Sequence, residues 1–184
     1  MLYSSLEEYN RMTRMVSDML FLAQADNNQL IPDRAIFDLR AEVMKVFDFF
    51  EAWAEERNVT LKFNGMPCLT EGDPQMFRRA INNLLSNALR YTPEGKAVTV
   101  SLREQENNIE LVVANPGAPI PEEHLPRLFD RFYRVDPSRQ RKGEGSGIGL
   151  AIVKSIVSAH HGKIRVESDA VSTRFILSVP KKTV

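Results

Sequence analysis

The chain has 184 residues, 43% of them hydrophobic, which is enough for one well-formed core with one appended element. Its 24 basic residues balance its 24 acidic residues, so we expect no nucleic acid and no acidic membrane surface as a partner. The single cysteine, Cys68, excludes an internal disulfide framework and is typical of a reducing compartment. No stretch approaches the roughly 18 apolar residues of a membrane-spanning helix, so we expect no direct membrane contact from this fragment.

The first predicted element is a helix from Leu2 to Ala23. Apolar residues follow one another along it in steps of three, four and seven, which is typical of a coiled-coil-like seam. Such a seam needs a second helix to cover it, so we expect truncation or dimerisation. The seam consists of Leu2, Leu6, Tyr9, Val16, Leu20 and Ala23. Three methionines at helical spacing are interpreted as packing residues rather than as a copper site.

A polar segment broken by Pro32 follows, and residues 27–36 are predicted to be a linker. The next helix is predicted over Leu39–Arg57, entered after Asp38. Another begins in the sequence GDPQMFRRAINNLLSNAL, where Asp73 is a cap and Pro74 occupies the favoured first position.

The rest of the chain alternates between strands and one further helix, which runs to about His160 and is stopped by Gly162 as a C-terminal cap. Short polar turns join at least one pair of adjacent strands, which favours helices layered on one face of a mixed sheet, an α+β fold. Strands are predicted at Val59–Phe63, Val98–Arg103, Ile109–Ala114, Lys163–Ser168 and Thr173–Val179.

The stretch GEGSGIGL, which begins at Gly143, places four of the nine glycines of the chain within seven residues, directly before a helix. Its spacing matches neither the dinucleotide-binding fingerprint nor the Walker loop. Glycine lets a backbone approach a ligand closely, and a helix N-terminus favours an anion, most often a phosphate. The alternative is a flexible surface loop.

Two asparagines four residues apart, Asn83 and Asn87, lie on one face of the helix that Asp73 caps. Amide oxygens suit Mg²⁺, which keeps waters and phosphate oxygens as its other ligands. Arg90 and Tyr91 close the same helix and suit a phosphate and a base. The alternative for all four is an ordinary solvated surface.

Asn115 ends a predicted strand beside Pro116 and Gly117. An asparagine amide matches the donor and acceptor edge of adenine, whereas the alternative is a turn-forming Asn-Pro pair. The sequence LFDRFYR follows, and the basic stretch SRQRK after it makes a mobile, phosphate-seeking lid plausible.

Four motifs follow one another along the chain: the asparagine helix, the Asn-Pro-Gly loop, the Phe-rich segment and the glycine turn. Their order is that of four short sequence motifs, called boxes, of a known protein family. In order and spacing, residues 73–180 resemble the ATP-binding domain of bacterial sensor histidine kinases of two-component systems, most closely those that sense heavy metals such as copper or silver. Ser172 stands where the final box usually has glycine. The resemblance implies a two-layer α/β sandwich of the Bergerat or GHKL type over residues 37–184. Residues 1–26 resemble the second helix of the dimerisation domain.

The resemblance implies ATP and Mg²⁺ as cofactors, with Asn87 as the metal ligand. The implied ATP-binding residues are Asn83, Asn87, Arg90, Tyr91, Asn115, Gly117, Ile120, Phe129, Phe132, Arg134, Gly145, Ser146, Gly147, Ile148, Gly149, Leu150 and Thr173. Besides Ser172, two positions depart from the family: Asn115 replaces an aspartate, and Pro119 replaces a glycine.

The family transfers the γ-phosphate of ATP to a histidine on the first dimerisation helix, and the phosphate then passes to a response regulator. The three histidines here, His124, His160 and His161, lack that context, so we expect the acceptor upstream of Met1. The resemblance implies a homodimer and the cytoplasmic part of an inner-membrane sensor. Related ATPases have a water-activating glutamate where this chain has Asn83, an amide without useful basicity. This favours a kinase over an ATPase or a nucleotide-gated interaction module.

Overall fold

A computed structural model describes residues 2–135 and 146–182, with the backbone alone described for residues 2–8 and 11. Within these ranges the helices are α1 (Leu2–Asp26), α2 (Leu39–Glu56), α3 (Pro74–Tyr91) and α4 (Gly149–Ala159). The strands are β1 (Ala35–Asp38), β2 (Thr60–Asn64), β3 (Leu69–Gly72), β4 (Ala97–Glu104), β5 (Asn108–Asn115), β6 (Lys163–Ser168) and β7 (Thr173–Pro180). A 3-10 helix covers Glu122–Arg127. None of the helices in the described ranges is long and apolar enough to cross a membrane.

The main sheet has five strands in the order β2-β4-β5-β7-β6. β2 pairs with β4 in parallel, and the other neighbours are antiparallel, so the predicted mixed sheet is confirmed. Helix α3 packs against both α2 and α4, and all three helices pack against the sheet. The core between the layers is fully buried at Leu84, Val100 and Phe175, each at most 1% exposed. The predicted two-layer α+β architecture is therefore confirmed.

Both predicted helix starts have the expected caps. The Asp38 carboxylate accepts a hydrogen bond from the backbone N–H of Arg40 at 3.0 Å. Asp73 accepts from the N–H groups of Gln75 and Met76 at 2.9 and 3.1 Å. These side chains satisfy N–H groups that have no partner within the first helical turn.

A second, two-stranded sheet was not predicted. β1 and β3 pair in antiparallel register, from Ala35 opposite Gly72 to Asp38 opposite Leu69. The end of the predicted linker, residues 35 and 36, therefore belongs to a strand. Each strand has four residues, too few for an alternating pattern to stand out from a loop. Thr70 ties this sheet to the main one, because its hydroxyl donates to the Pro180 carbonyl at 3.0 Å.

The end of α4 differs from the prediction of a glycine cap. The left-handed residue is His161, with φ 57°, and Gly162 has no positive φ. A Cβ at Gly162 would lie 2.5 Å from the Ser178 carbonyl oxygen of β7. Glycine is therefore required here by the close approach of two backbones, and not by the turn.

Helix α1 docks on α3, α4 and the segment around Arg131 through one face. Leu22 is 3% exposed. Asp18 accepts a hydrogen bond from Arg79 of α3 at 2.5 Å, and the same guanidinium lies 4.3 Å from the centroid of the Phe21 ring. Two turns later, Asp26 pairs with Arg131 at 2.5 Å. These contacts leave the opposite face of α1 uncovered in the described residues.

Candidate functional site

One stripe of α3 forms the first wall of the candidate site. Asn83 and Asn87 lie one turn apart on it, and both are half-buried. Asn83 faces the start of α4, because a Cβ at Gly149 would lie 3.1 Å from the Asn83 Oδ1. Among the described residues, no hydrogen bond engages the amide of either asparagine. The fold thus leaves two amides on this stripe unused, and one of them, Asn83, faces the amino end of α4.

Helix α4 begins without a side-chain cap. Its N-cap residue is Ile148, which makes no side-chain hydrogen bond to the first turn and is completely buried. The N–H groups of the first turn therefore keep their capacity for an external acceptor, and the helix dipole favours an anion there. Ile148 contributes only backbone to such a site, and Leu150 packs partly against the core.

Asn115 at the end of β5 forms the second wall. It is 4% exposed, and its Nδ2 donates to the Pro116 carbonyl at 3.2 Å. A carbonyl can only accept, so this contact fixes which end of the amide is nitrogen. Among the described residues no donor contacts the Asn115 Oδ1. The orientation makes this oxygen the available acceptor, as a carboxylate oxygen would be.

Thr173 lies directly opposite Asn115 on β7. Its hydroxyl is 2.7 Å from the Ser168 hydroxyl, and Ser168 also accepts from the backbone N–H of Ile120 at 2.9 Å. The predicted residues Asn115, Thr173 and Ile120 are therefore brought together: Thr173 pairs with Asn115 across the strands, and Ser168 is the shared partner of Thr173 and Ile120.

Gly117 brings the loop after β5 against the end of α3. A Cβ at Gly117 would lie 3.2 Å from the Tyr91 carbonyl oxygen, so a larger residue would push the two walls apart. Tyr91 is 55% exposed. The Arg90 carbonyl accepts from the Arg57 guanidinium at 3.2 Å, which fixes the last turn of the helix.

Gly147 and Phe132 meet between the Phe-rich segment and the glycine turn. The Phe132 N–H donates to the Gly147 carbonyl at 3.0 Å. Both residues have positive φ, 60° at Phe132 and 73° at Gly147. A Cβ at Gly147 would lie 3.0 Å from the Phe132 Cα. Ser146 precedes this contact and is half-buried. The predicted Gly145 lies outside the described residues.

The aromatic and basic residues of the Phe-rich segment lie in different environments. Phe129 packs edge-on against Phe175, with ring centroids 6.3 Å apart, and it lines a cavity of about 630 Å³ between α1 and α4. That cavity contains none of the other predicted ligand residues, so it is distinct from the polar site. Phe132 is 57% exposed, and Arg134 is half-buried.

Sequence reasoning missed Ser168, His124 and Tyr133. Ser168 ends β6 with no motif around it, and its partners Ile120 and Thr173 are assigned to it only by the fold. The contact between His124 and Tyr133 joins two residues nine apart within a loop, a separation that no helical or strand period predicts. In the described part of the chain, no group of three or more His, Cys, Asp or Glu side chains could hold a metal ion.

Comparison with known proteins identifies the family. Residues 72–183 match the family of histidine kinase-, DNA gyrase B- and HSP90-like ATPases. The chain is 78% identical over 184 residues to a probable sensor kinase, SilS, of Salmonella typhimurium, a match that covers 98% of this chain and 37% of that protein. It is 65% identical over 179 residues to the sensor histidine kinase CusS of Escherichia coli K12, covering 97% and 37% respectively. The chain thus spans little more than a third of the length of these relatives.

Solved structures agree in fold. The histidine kinase AdeS of Acinetobacter baumannii superposes with a TM-score of 0.85 over 99% of this chain and 84% of that one, at 24% identity. The catalytic domain of the histidine kinase ThkA gives a TM-score of 0.73 over 82% and 99%, at 26% identity. The chain belongs to the family of histidine kinase-, DNA gyrase B- and HSP90-like ATPases, and its ATP-binding catalytic domain is of the sensor histidine kinase kind.

Proposed function

We propose that ATP lies between the two walls, with its phosphates at the amino end of α4 and its adenine at Asn115 and Thr173. The observation that carries this proposal is the pair of uncommitted amides, Asn83 and Asn87, which share a stripe of α3 with Asn83 beside Gly149. The uncapped first turn of α4 supplies backbone donors at the same place. The same proposal gives phosphate contacts to Arg90, Arg134 and the turn 145–150.

Asn87 is the proposed protein ligand of Mg²⁺. An amide oxygen is a hard ligand, and Mg²⁺ is commonly bound through few protein groups together with substrate phosphates. The half-buried Asn87 side chain fits this role, because no hydrogen bond among the described residues holds it. When bound, Mg²⁺ would neutralise part of the charge on the phosphates.

The proposed reaction is transfer of the γ-phosphate to a histidine outside residues 1–184. Two of the three histidines of the chain are engaged: His160 uses both ring nitrogens, and His124 bonds to Tyr133. Asn83 has no basicity with which to activate water, so transfer to a positioned nucleophile is favoured over hydrolysis. The chain's own residues hold and orient the phosphates, which is most of what phosphoryl transfer requires of a protein.

The proposed partners are a second copy of the protein and a response regulator. Residues 1–26 would be the second helix of a dimerisation domain, 27–36 the connection, and 37–184 the catalytic domain. The exposed face of α1 supports dimerisation, since it displays Tyr9, Met12, Val16 and Leu20, each more than half exposed. We also propose that the whole protein is an inner-membrane sensor for copper or silver stress, with this part in the cytoplasm. That step rests on the resemblance to metal-sensing kinases.

Isothermal titration with ATP, with and without Mg²⁺, tests the site. Asn87→Ala should weaken Mg²⁺–ATP binding at least roughly tenfold, the loss expected for a contact to a charged group, and should weaken metal-free ATP binding far less. Asn82→Ala is the matched control, because its buried Oδ1 has no partner in the described structure and it lines a different cleft, beside Lys45 and Arg78. Equal losses with and without metal would remove Asn87 as the ligand.

Labelled ATP tests the reaction. The chain alone should form no acid-labile phosphohistidine. An added fragment that carries the acceptor helix but cannot bind ATP should become labelled. Label on the 184-residue chain itself would refute an external acceptor. Rapid hydrolysis, at a rate of roughly 10 per second, would favour an ATPase, and binding without transfer would favour a nucleotide-gated interaction module.

A further inference from the structure

A cluster outside the predicted site joins the 3-10 helix to the Phe-rich segment. The His124 Nδ1 lies 2.5 Å from the Tyr133 hydroxyl, and either group can be the donor, depending on the tautomer of the imidazole. The Arg127 guanidinium stacks over the Tyr133 ring at 4.3 Å from its centroid. We name these three residues, His124, Arg127 and Tyr133, the Tyr133 clamp.

The segment that carries the clamp, residues 120–133, is itself held at its start and along its length. At the start, the Ile120 N–H donates to Ser168 of β6 at 2.9 Å. Between Arg127 and Tyr133, Leu128 is buried, with 8% exposure. The Asp130 N–H donates to the Arg127 carbonyl at 2.9 Å, and the Tyr133 N–H to the Asp130 carbonyl at 3.3 Å. The phenol ring is therefore fixed relative to the main sheet.

The residue before Tyr133 is strained. Phe132 has φ 60°, a left-handed conformation that is unfavourable for a bulky side chain. Its ring is 57% exposed, so core packing does not hold it there. Strained residues persist where the surrounding structure over-determines them, and they cluster at functional sites. Two contacts flank Phe132: the Tyr133 clamp on one side, and the backbone hydrogen bond to Gly147 at 3.0 Å on the other.

Gly147 connects this strain to the candidate phosphate site. It lies two residues before Gly149, whose Cα faces the Asn83 amide. A shift of Phe132 would move the Gly147 carbonyl and, with it, the first turn of α4. The adenine wall at Asn115 and Thr173 lies on β5 and β7. It meets the loop that carries the clamp at Ser168, which contacts both Ile120 and Thr173, and it has no hydrogen bond to His124, Tyr133 or Phe132 among the described residues.

We propose that the Tyr133 clamp is a positioning unit that holds the strained Phe132–Gly147 pair and so sets the phosphate end of the nucleotide site. This inference rests on the proposed function, because it assigns the phosphates to the amino end of α4. Its residues position the backbone and are not themselves ligands of the nucleotide.

The test compares ATP with adenosine, which lacks the phosphates, by titration of each variant. Tyr133→Phe removes the hydroxyl and keeps the ring under Arg127, so the fold should be retained. We expect its dissociation constant for Mg²⁺–ATP to rise roughly three- to tenfold, the range for one lost hydrogen bond, while that for adenosine stays unchanged. His124→Ala should raise the dissociation constant for Mg²⁺–ATP by a similar factor. The double variant should bind Mg²⁺–ATP no more weakly than either single variant. Tyr9→Phe, on the exposed face of α1, is the hydroxyl-deletion control.

A rescue variant separates positioning from general stability. Glycine adopts the left-handed conformation without strain. Tyr133→Phe should therefore weaken ATP binding less in a chain that already carries Phe132→Gly than in the parent chain. Unchanged ATP affinity in Tyr133→Phe would overturn the proposal, and so would equal losses for ATP and adenosine. If the parent chain bound no ATP, the proposed function itself would fail, which is a distinguishable result.

Discussion

At the scale of single residues, the site shows how one backbone carbonyl can set the chemistry of a side chain. An amide offers a donor and an acceptor, and its two ends are nearly the same shape. The Pro116 carbonyl takes the Asn115 nitrogen, which leaves the oxygen as the group available to a ligand. Adenine carries an exocyclic amino group that donates, whereas guanine carries a carbonyl there. At the proposed nucleotide site this orientation would therefore favour adenine over guanine.

Replacing Asn115 tests this role. We predict that Asn115→Ala weakens ATP binding roughly five- to thirtyfold, as for the loss of a buried hydrogen bond with its partner left unpaired, and reduces any preference over GTP. Asn115→Asp keeps an acceptor and should bind ATP at least comparably to the parent chain. Competition titrations with ATP and GTP measure both effects. Asn64→Ala, at an exposed asparagine at the end of β2, is the control. Unchanged ATP affinity in Asn115→Ala would reduce Asn115 to a turn residue.

At the scale of secondary structure elements, the sequence predicts what depends on neighbours within a few residues. The caps Asp38 and Asp73, the helix α3 and the hairpin between β4 and β5 follow from local chemistry and period, and each is confirmed. The strand β1 does not, because the residues of β3 with which it pairs lie 31 to 37 positions further along the chain, from Asp38 opposite Leu69 to Ala35 opposite Gly72. The same limit applies within the site: Asn83 and Asn87 share a visible stripe, whereas Ser168 becomes part of the site only through the fold.

The end of α4 depends on another such long-range contact. The buried His160 accepts a hydrogen bond at Nε2 from the Asp73 N–H at 2.9 Å. Its Nδ1 therefore carries the proton and donates to the Ile156 carbonyl at 2.7 Å. The neutral ring also packs on Phe77, with centroids 4.5 Å apart. His160 thus ties the last turn of α4 to the first turn of α3.

Protonation of His160 should destabilise this joint. Burial lowers the pKa of His160, and the Arg34 and His161 charges add to this, although the Ile156 carbonyl and Asp73 oppose it. The folded state therefore binds fewer protons than the unfolded state below the ordinary histidine pKa, about 6.5. The contribution of neutral His160 is complete above that pH and decreases as the pH falls towards the lowered folded pKa. A protonated Nε2 would also lose the hydrogen bond from the Asp73 N–H, because it would have no lone pair with which to accept it.

We predict that the free energy of unfolding in urea decreases between pH 7.5 and pH 5.5, and that much of this decrease disappears in His160→Ala. The variant should also lose about 2–4 kcal/mol at pH 7.5 through its missing hydrogen bonds and the cavity left behind. His161→Asn, which tolerates the left-handed conformation, is the control. The Glu42 carboxylate does not interfere: burial raises its pKa, but Lys45 and Arg78 outweigh burial and lower it. An undiminished pH dependence in His160→Ala would contradict this role.

At the scale of the whole molecule, α1 has two apolar faces, of which the catalytic domain covers one. Phe21 and Leu22 are buried, and the Asp18–Arg79 and Asp26–Arg131 pairs fix the helix along two turns. Arg79 lies on the same stripe of α3 as Asn83 and Asn87, so α3 contacts α1 near its start and borders the proposed nucleotide site further along. The second face of α1 has no such contacts in the described residues. A helix seam of this kind is stable when another helix covers it.

The exposed face of α1 should therefore drive self-association of the chain. Val16 is 56% exposed and Leu20 62% exposed, one turn apart, and a charge at the centre of their seam would have to be buried without a partner in a dimer. We predict a concentration-dependent dimer in sedimentation equilibrium, which Val16→Glu shifts to monomer without lowering ATP affinity, because Val16 does not contribute to the nucleotide site. The matched control is Val171→Glu, at a valine that is 76% exposed in the turn between β6 and β7. A dimer that survives Val16→Glu, or dissociates equally in Val171→Glu, would place the interface away from this face of α1.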